Sequence, residues 1–240
     1  RDSSHGNAIS VIYLEKEGLY RKISRDSYGR DLLKTEALGL KWHENLFVEK
    51  YNAQCPLMGT CWDADHFTRL DIIKIVGKQV LYTLPLSETH ILLSSCIDHY
   101  FQLWPDDKIV PCHGDMTLDN VIFTAGEPPL FIDWEHFYED GERWGFDLAY
   151  LILSAIVLPK PEFTDLEPEE VKLFLKLWVK ISEKELPSDL AINPVSYFRH
   201  VFRSKKHWQD IISNSPNKLY PMWMNNIQEE YIYKLIKNGF

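Results

Sequence analysis

The sequence predicts an α+β fold in two parts, a small β-rich front and a larger helical back. Residues 1–80 carry β-branched and aromatic runs separated by glycine, whereas the chain beyond Gly145 carries apolar residues at helical spacing. The character changes between Gly77 and Ser87, so a boundary between residues 1–80 and residues 81–240 is expected there. A chain of 240 residues suits one domain of two lobes or two small domains, and 45% hydrophobic against 25% charged residues is enough for a real core.

The front opens with a strand over residues 8–17, rich in Ile9, Val11, Ile12 and Tyr13. Gly18 offers a turn, and a second strand follows from Leu19 to Ser24. Leu32, Leu33, Ala37, Leu40 and Lys41 then fall at helical spacing, which predicts a short amphipathic helix over residues 31–44. An irregular stretch with Pro56, Gly59 and Trp62 precedes a strand over residues 67–76 that Gly77 closes.

The back begins with a helix from Ser87 to Trp104, with Ile91, Leu92, Cys96, Tyr100 and Leu103 on one face and Pro105 ending it. Residues 109–134 form a compact region with two short apolar strands, 121–123 and 130–132. Helices are expected over 146–158, 167–184, 195–213 and 221–238, the second favoured by Pro168 at its start with Glu169 and Glu170 behind. No internal repeat or low-complexity tract interrupts this order.

The net charge of −9, from 26 basic and 35 acidic residues, repels a phosphate backbone, so nucleic acid is not the expected partner. Cys55, Cys61, Cys96 and Cys112 are scattered without paired spacing, which argues against a zinc site or a disulfide framework and favours a reduced, cytoplasmic setting. No apolar run approaches the roughly 20 residues of a membrane span, and no secretory leader is recognisable. The chain opens on Arg1 rather than methionine, so an N-terminal piece is expected to precede it.

The informative stretch is Cys112-His113-Gly114-Asp115-Met116-Thr117-Leu118-Asp119-Asn120, followed by Phe131-Ile132-Asp133-Trp134-Glu135. Phosphoryl transfer asks a protein for an aligned hydroxyl, metal ions bridging the phosphates and cations opposing their charge. An Asp on a tight loop accepts or orients the hydroxyl proton, an Asn five residues on turns back to a metal, and a second Asp after a short strand chelates it. Asp115, Asn120 and Asp133 stand at those spacings. Glu135, two residues past Asp133, falls near the metal or the acceptor.

This pattern resembles the kinase catalytic loop and metal motif. In its His-Gly-Asp and Ile-Asp-Trp-Glu version it is similar to the aminoglycoside phosphotransferase and choline kinase superfamily, from about Pro111 to Tyr150, including Asp147-Leu148-Ala149. The resemblance implies a protein-kinase-like bilobal fold that uses ATP and Mg2+, with Asp115 as catalytic base or hydroxyl-orienting residue and Asn120 and Asp133 as metal ligands. It further implies that His113 braces the loop and that Asp147 anchors it. Upstream it implies a strand Lys on the nucleotide phosphates held by a helical Glu, for which Lys22 and Glu36 fit; Arg21, Lys34 and Glu44 compete. Ser3 to Ala8, with the single glycine Gly6, occupies the place of the phosphate-covering loop, and the first strand of the small lobe would then precede Arg1.

Gly114 stands before Asp115 where a protein kinase has Arg, and no long activation segment follows Asp133, although Pro161-Glu162 resembles the end of one. A small-molecule acceptor is therefore expected: an amino sugar, a sugar or glycan precursor, or a choline-like amine. Glu135, Glu139, Asp140, Glu142 and Asp147 are acids able to hold amino groups, and Trp134, Trp144 and Trp178 offer faces for a cation or sugar; for most of these residues, Glu135 excepted, a solvated acidic loop and core aromatics are the expected account. A binding or scaffold module without turnover is the alternative, and a protein kinase the third reading.

Overall fold

The computed structural model describes residues 9–79, 84–159, 165–184, 186–214, 221, 224 and 227–239. Strands β1 (Ser10–Leu14) and β2 (Leu19–Ser24) form an antiparallel hairpin, turned at Gly18 with a φ of +62° that glycine adopts without strain. The sheet continues through β4 (Phe67–Ile73) and β3 (Gly59–Ala64) in the order β1-β2-β4-β3, all antiparallel. Register sets Arg21 opposite Asp71, and the two form a bidentate pair with both contacts at 2.8 Å.

The expected irregular stretch thus contains a strand. Thr60, Cys61 and Trp62 have the β-favouring side chains, but Pro56 and Gly59 obscured the pattern, and only pairing with β4 reveals it. The strand expected over 67–76 stops at Ile73, where β2 offers no further partner.

Helix α1 (Ser27–Tyr51) is longer than the expected 31–44. Its ends are set by caps rather than by apolar spacing. The Asp26 side chain accepts from the Gly29 amide, and Asn52 closes the other end in the left-handed region at φ 48°. Leu32, Leu33, Glu36, Gly39, Leu40, His43 and Phe47 form its buried face. Gly39 is there for closeness: a Cβ would lie 2.8 Å from the Trp134 Cβ and 2.9 Å from the Phe137 Cβ. Both neighbours are fixed to backbone and cannot swing aside. Gly39→Ala should therefore destabilise the protein by about 1–2 kcal/mol, overpacking outweighing the ~1 kcal/mol gain in helix propensity. Thermal melting checks this, and an unchanged midpoint would mean that residues 134–137 withdraw freely.

Helix α2 (Leu86–Leu103) agrees with expectation to within a residue. Two small sheets follow. One has β5 (Lys78–Gln79), β7 (Val121–Phe123) and β8 (Leu130–Phe131) in that order; the other pairs β6 (Ile109–Cys112) with β9 (Tyr138–Arg143). The polar stretch from Glu135 to Arg143 therefore contains a strand. Gly141, at φ +77°, lets it approach Val110, whose carbonyl a Cβ would strike.

Helix α3 (Phe146–Val157) has all twelve residues buried and packs against α2 and α4 (Pro168–Ser182). Proline at its start and a capping box between Glu167 and Glu170 begin α4. A short α5 (Ser188–Ile192) was not anticipated. The helix expected over 195–213 is two, α6 (Pro194–Ser204) and α7 (Lys206–Asn214), broken at extended Lys205. That break lets Lys205 (2.7 Å) and the Trp208 indole (2.9 Å) both reach the buried Glu142 carboxylate. The helix expected from 221 is described only as α8 (Glu229–Gly239).

Small antiparallel sheets with many helices make up the α+β class that the sequence predicts. No described helix is long and apolar enough to cross a membrane, and the four cysteines are unpaired.

Candidate functional site

Strand β6 delivers the chain to His113, where a tight turn begins. Gly114 has φ +86°, and a Cβ there would collide with the His136 carbonyl. Asp147, in the first turn of α3, holds this turn from below: its Oδ2 accepts from the His113 amide at 2.9 Å and its Oδ1 from the Gly114 amide at 3.1 Å. His113 Nδ1 accepts from the Asp115 amide (3.3 Å), so Nε2 carries the proton and donates to the Ile132 carbonyl at 2.8 Å. Full burial keeps the ring neutral, lowering its pKa to about 4. It thereby ties the loop to the residue preceding Asp133.

Asp115 follows at the end of this turn. The Tyr150 hydroxyl donates to its Oδ1 at 2.7 Å, and Asn120 Nδ2 donates to its main-chain carbonyl at 2.9 Å and to Oδ2 at 3.3 Å. A 3-10 turn over Leu118–Asn120 folds the Asn back toward the Asp. Burial raises the Asp115 carboxyl to about 7, against the opposing hydrogen bond from Tyr150.

Asp133 leaves β8 in the left-handed region at φ 65°, which Asp tolerates better than most side chains. Lys22, from the middle of β2, reaches it: Nζ lies 2.7 Å from Asp133 Oδ1 and 2.8 and 2.9 Å from the two Glu36 oxygens. Burial opposes the Lys22 charge, but Asp133, Glu36 and Glu135 outweigh it and its pKa rises. Glu36 is fully buried, which lifts its carboxyl to about 7 even beside Lys22. For Asp133 burial works upward, but the Lys22 ammonium prevails and the carboxyl falls below its usual value.

The competing residues are engaged elsewhere, Arg21 with Asp71, Lys34 with Asp63 at 2.8 Å, and Glu44 with Lys41 at 2.9 Å. Burial places the Glu135 carboxyl well above its ordinary value, with Asp133 adding to the effect. Trp134 and Trp178 are fully buried and Trp144 nearly so, so these rings build the core rather than a binding face. Glu142 is likewise enclosed. Gly6 and its loop, and Pro161-Glu162, lie outside the described residues.

Two contributors escaped the sequence reading. Tyr150 stands three residues after Asp147 on the same helical face, a spacing that was legible but unused. Gly39, three residues after Glu36, gave no signal beyond being a glycine inside a helix.

The donors near Asp115 suit a hard metal ion. Asn120 commits its amide N–H groups to Asp115, leaving its oxygen as acceptor, and Asp133 has Oδ2 beside the Lys22-bound Oδ1. Among the described residues no group of three or more His, Cys, Asp or Glu forms a self-sufficient cage. An ion on Asn120 and Asp133 would take further ligands from phosphate and water.

The family model for the phosphotransferase enzyme family, APH, matches residues 78–156. Over this segment, about a third of the chain, the sequence is similar to that family. The phosphotransferase match contains His113, Asp115, Asn120, Asp133, Glu135 and Asp147, whereas Lys22 and Glu36 precede it. Among curated proteins, none matches the chain.

Proposed function

We propose that the chain is a kinase-like phosphotransferase that moves the γ-phosphoryl group of ATP to a hydroxyl of a small molecule. The observation that carries this reading is one contact: Lys22 of the front sheet, held by buried Glu36, meets Asp133 at 2.7 Å, with Glu135 two residues farther on. Lys22 and Glu36 thus meet a residue 111 positions beyond Lys22, beside the Asp115 turn, which the buried His113 couples to the Asp133 segment. Lys22 opposes phosphate charge, Glu36 orients it, and Asp115 takes the proton of the acceptor hydroxyl. Asn120 and Asp133 would hold Mg2+, which on binding supplies charge neutralisation at the phosphates. Residues 1–80 act as the nucleotide lobe and residues 81–240 as the catalytic and acceptor lobe.

The acceptor is a sugar, an amino sugar or a choline-like amine, and the partly enclosed Glu135, two residues past Asp133, offers it a hydrogen-bonding carboxyl. The reading is tested by titrating a fluorescent ATP analogue with and without Mg2+, then measuring ADP release with glucosamine, glucose and choline. Asp133→Ala should weaken the Mg2+-dependent part of nucleotide affinity at least tenfold. Equal metal dependence in the variant, or nucleotide binding without turnover across acceptors, would return the chain to the scaffold reading.

A further inference from the structure

Resting on the phosphotransferase reading, we infer that Tyr150 is the positioning residue that fixes the Asp115 carboxylate, occupying Oδ1 so that Oδ2 meets the acceptor hydroxyl. The geometry comes from one turn of α3. Asp147 binds the amides of His113 and Gly114, and Tyr150, three residues later, binds the side chain of Asp115. One helix therefore sets three successive residues of the loop, two through backbone and the third through its carboxylate.

The Tyr150 ring is 1% exposed and packs 5.9 Å from Phe198 and 6.4 Å from Phe146, so its hydroxyl is aimed by a rigid core. A phenol donating at 2.7 Å makes a hydrogen bond of normal length to a carboxylate oxygen, whereas Asn120 Nδ2 reaches Oδ2 at 3.3 Å, a long and weak contact. Oδ1 is thereby held in place and Oδ2 keeps capacity for another donor. In the transfer, the acceptor O–H proton passes to Oδ2 as the new O–P bond forms. The bond from the γ-phosphorus to the bridging oxygen breaks, and ADP leaves with that electron pair. Without the phenol, the carboxylate turns about its terminal torsion and Oδ2 loses its aim.

The test uses the full chain with MgATP and, as acceptors, glucosamine, glucose, choline and water. Tyr150→Phe keeps the ring and removes only the hydroxyl. It should lower kcat about 10- to 100-fold, while KM for ATP and affinity for a fluorescent ATP analogue stay within about twofold. In an Asp115→Asn background the same change should have no further effect, because Tyr150 acts only through that carboxylate. Thermal melting of the metal-free variants separates a folding defect from lost alignment. Wild-type turnover with an unchanged Tyr150→Phe rate, or an equal loss in the Asp115→Asn background, would overturn this inference alone. Absence of MgATP turnover in the wild type would overturn it together with the functional reading beneath it.

Discussion

Asp115→Asn should reduce acceptor phosphorylation by about 10²- to 10⁴-fold, the usual contribution of a general base, while nucleotide affinity stays near that of the wild type. The substitution is nearly isosteric. Its amide oxygen still accepts the Tyr150 hydroxyl bond, and the loop remains held by Asp147 through the His113 and Gly114 amides. What disappears is the capacity to take a proton. Because burial lifts the Asp115 carboxyl to about 7, wild-type kcat/KM should also fall on the acid side of neutrality as this base protonates. Steady-state kinetics across pH 5.5–8.5, paired with equilibrium nucleotide binding, check both parts. A variant that turns over within tenfold of the wild type would remove Asp115 from the proton transfer.

Lys22→Met should lose nucleotide binding and cost about 3–5 kcal/mol of stability, because it strands two carboxylates that were paired with one ammonium. Glu36 has no exposed side-chain surface, and Asp133 is partly enclosed. The deficit should widen as pH rises. Glu36 already sits near 7 in the folded protein, above its unfolded value, and without Lys22 it moves higher. A group raised in this way supports folding below its unfolded pKa and loses that support as pH passes its folded pKa. Asp133, which Lys22 holds low, rises in the variant and acts in the same direction. Chemical denaturation at pH 6 and at pH 8.5 should show the larger difference from wild type at the higher pH. Adding Glu36→Gln to Lys22→Met should recover part of it, since a neutral amide suffers less from the missing cation. A deficit independent of pH would mean that the stranded carboxylates find other partners.

The Asp115 turn was legible because the residues that form it are local. His113, Asp115 and Asn120 lie within eight residues. The turn at Gly114 needs a residue without a Cβ, and that requirement is visible as a glycine beside an Asp. Helices α2 and α4 were legible for a related reason, since apolar spacing and the Pro168-Glu169-Glu170 start act within one segment. Strands β3 and β9 were not. Each is defined by the partner it pairs with, and the β9 segment Tyr138 to Arg143 is too polar to announce a strand unaided. The break at Lys205 had no local marker either, because its reason is Glu142, more than sixty residues away in the chain.

The sequence by itself determined the α+β class, the Asp115 turn and the order of the chemical groups, since composition, periodicity and short spacings are properties of neighbouring residues. It also offered Lys22 and Glu36 as a pair, but left Arg21, Lys34 and Glu44 in competition. Only the tertiary structure decided among them, by register in one sheet: cross-strand pairing sends Arg21 to Asp71 on one face and turns Lys22 to the other, toward Glu36 and Asp133. Tyr150 and Gly39 gained their meaning in the same way. A hydrogen bond to Asp115 and a close approach to Trp134 depend on which surfaces meet, and that is fixed by packing between segments distant along the chain.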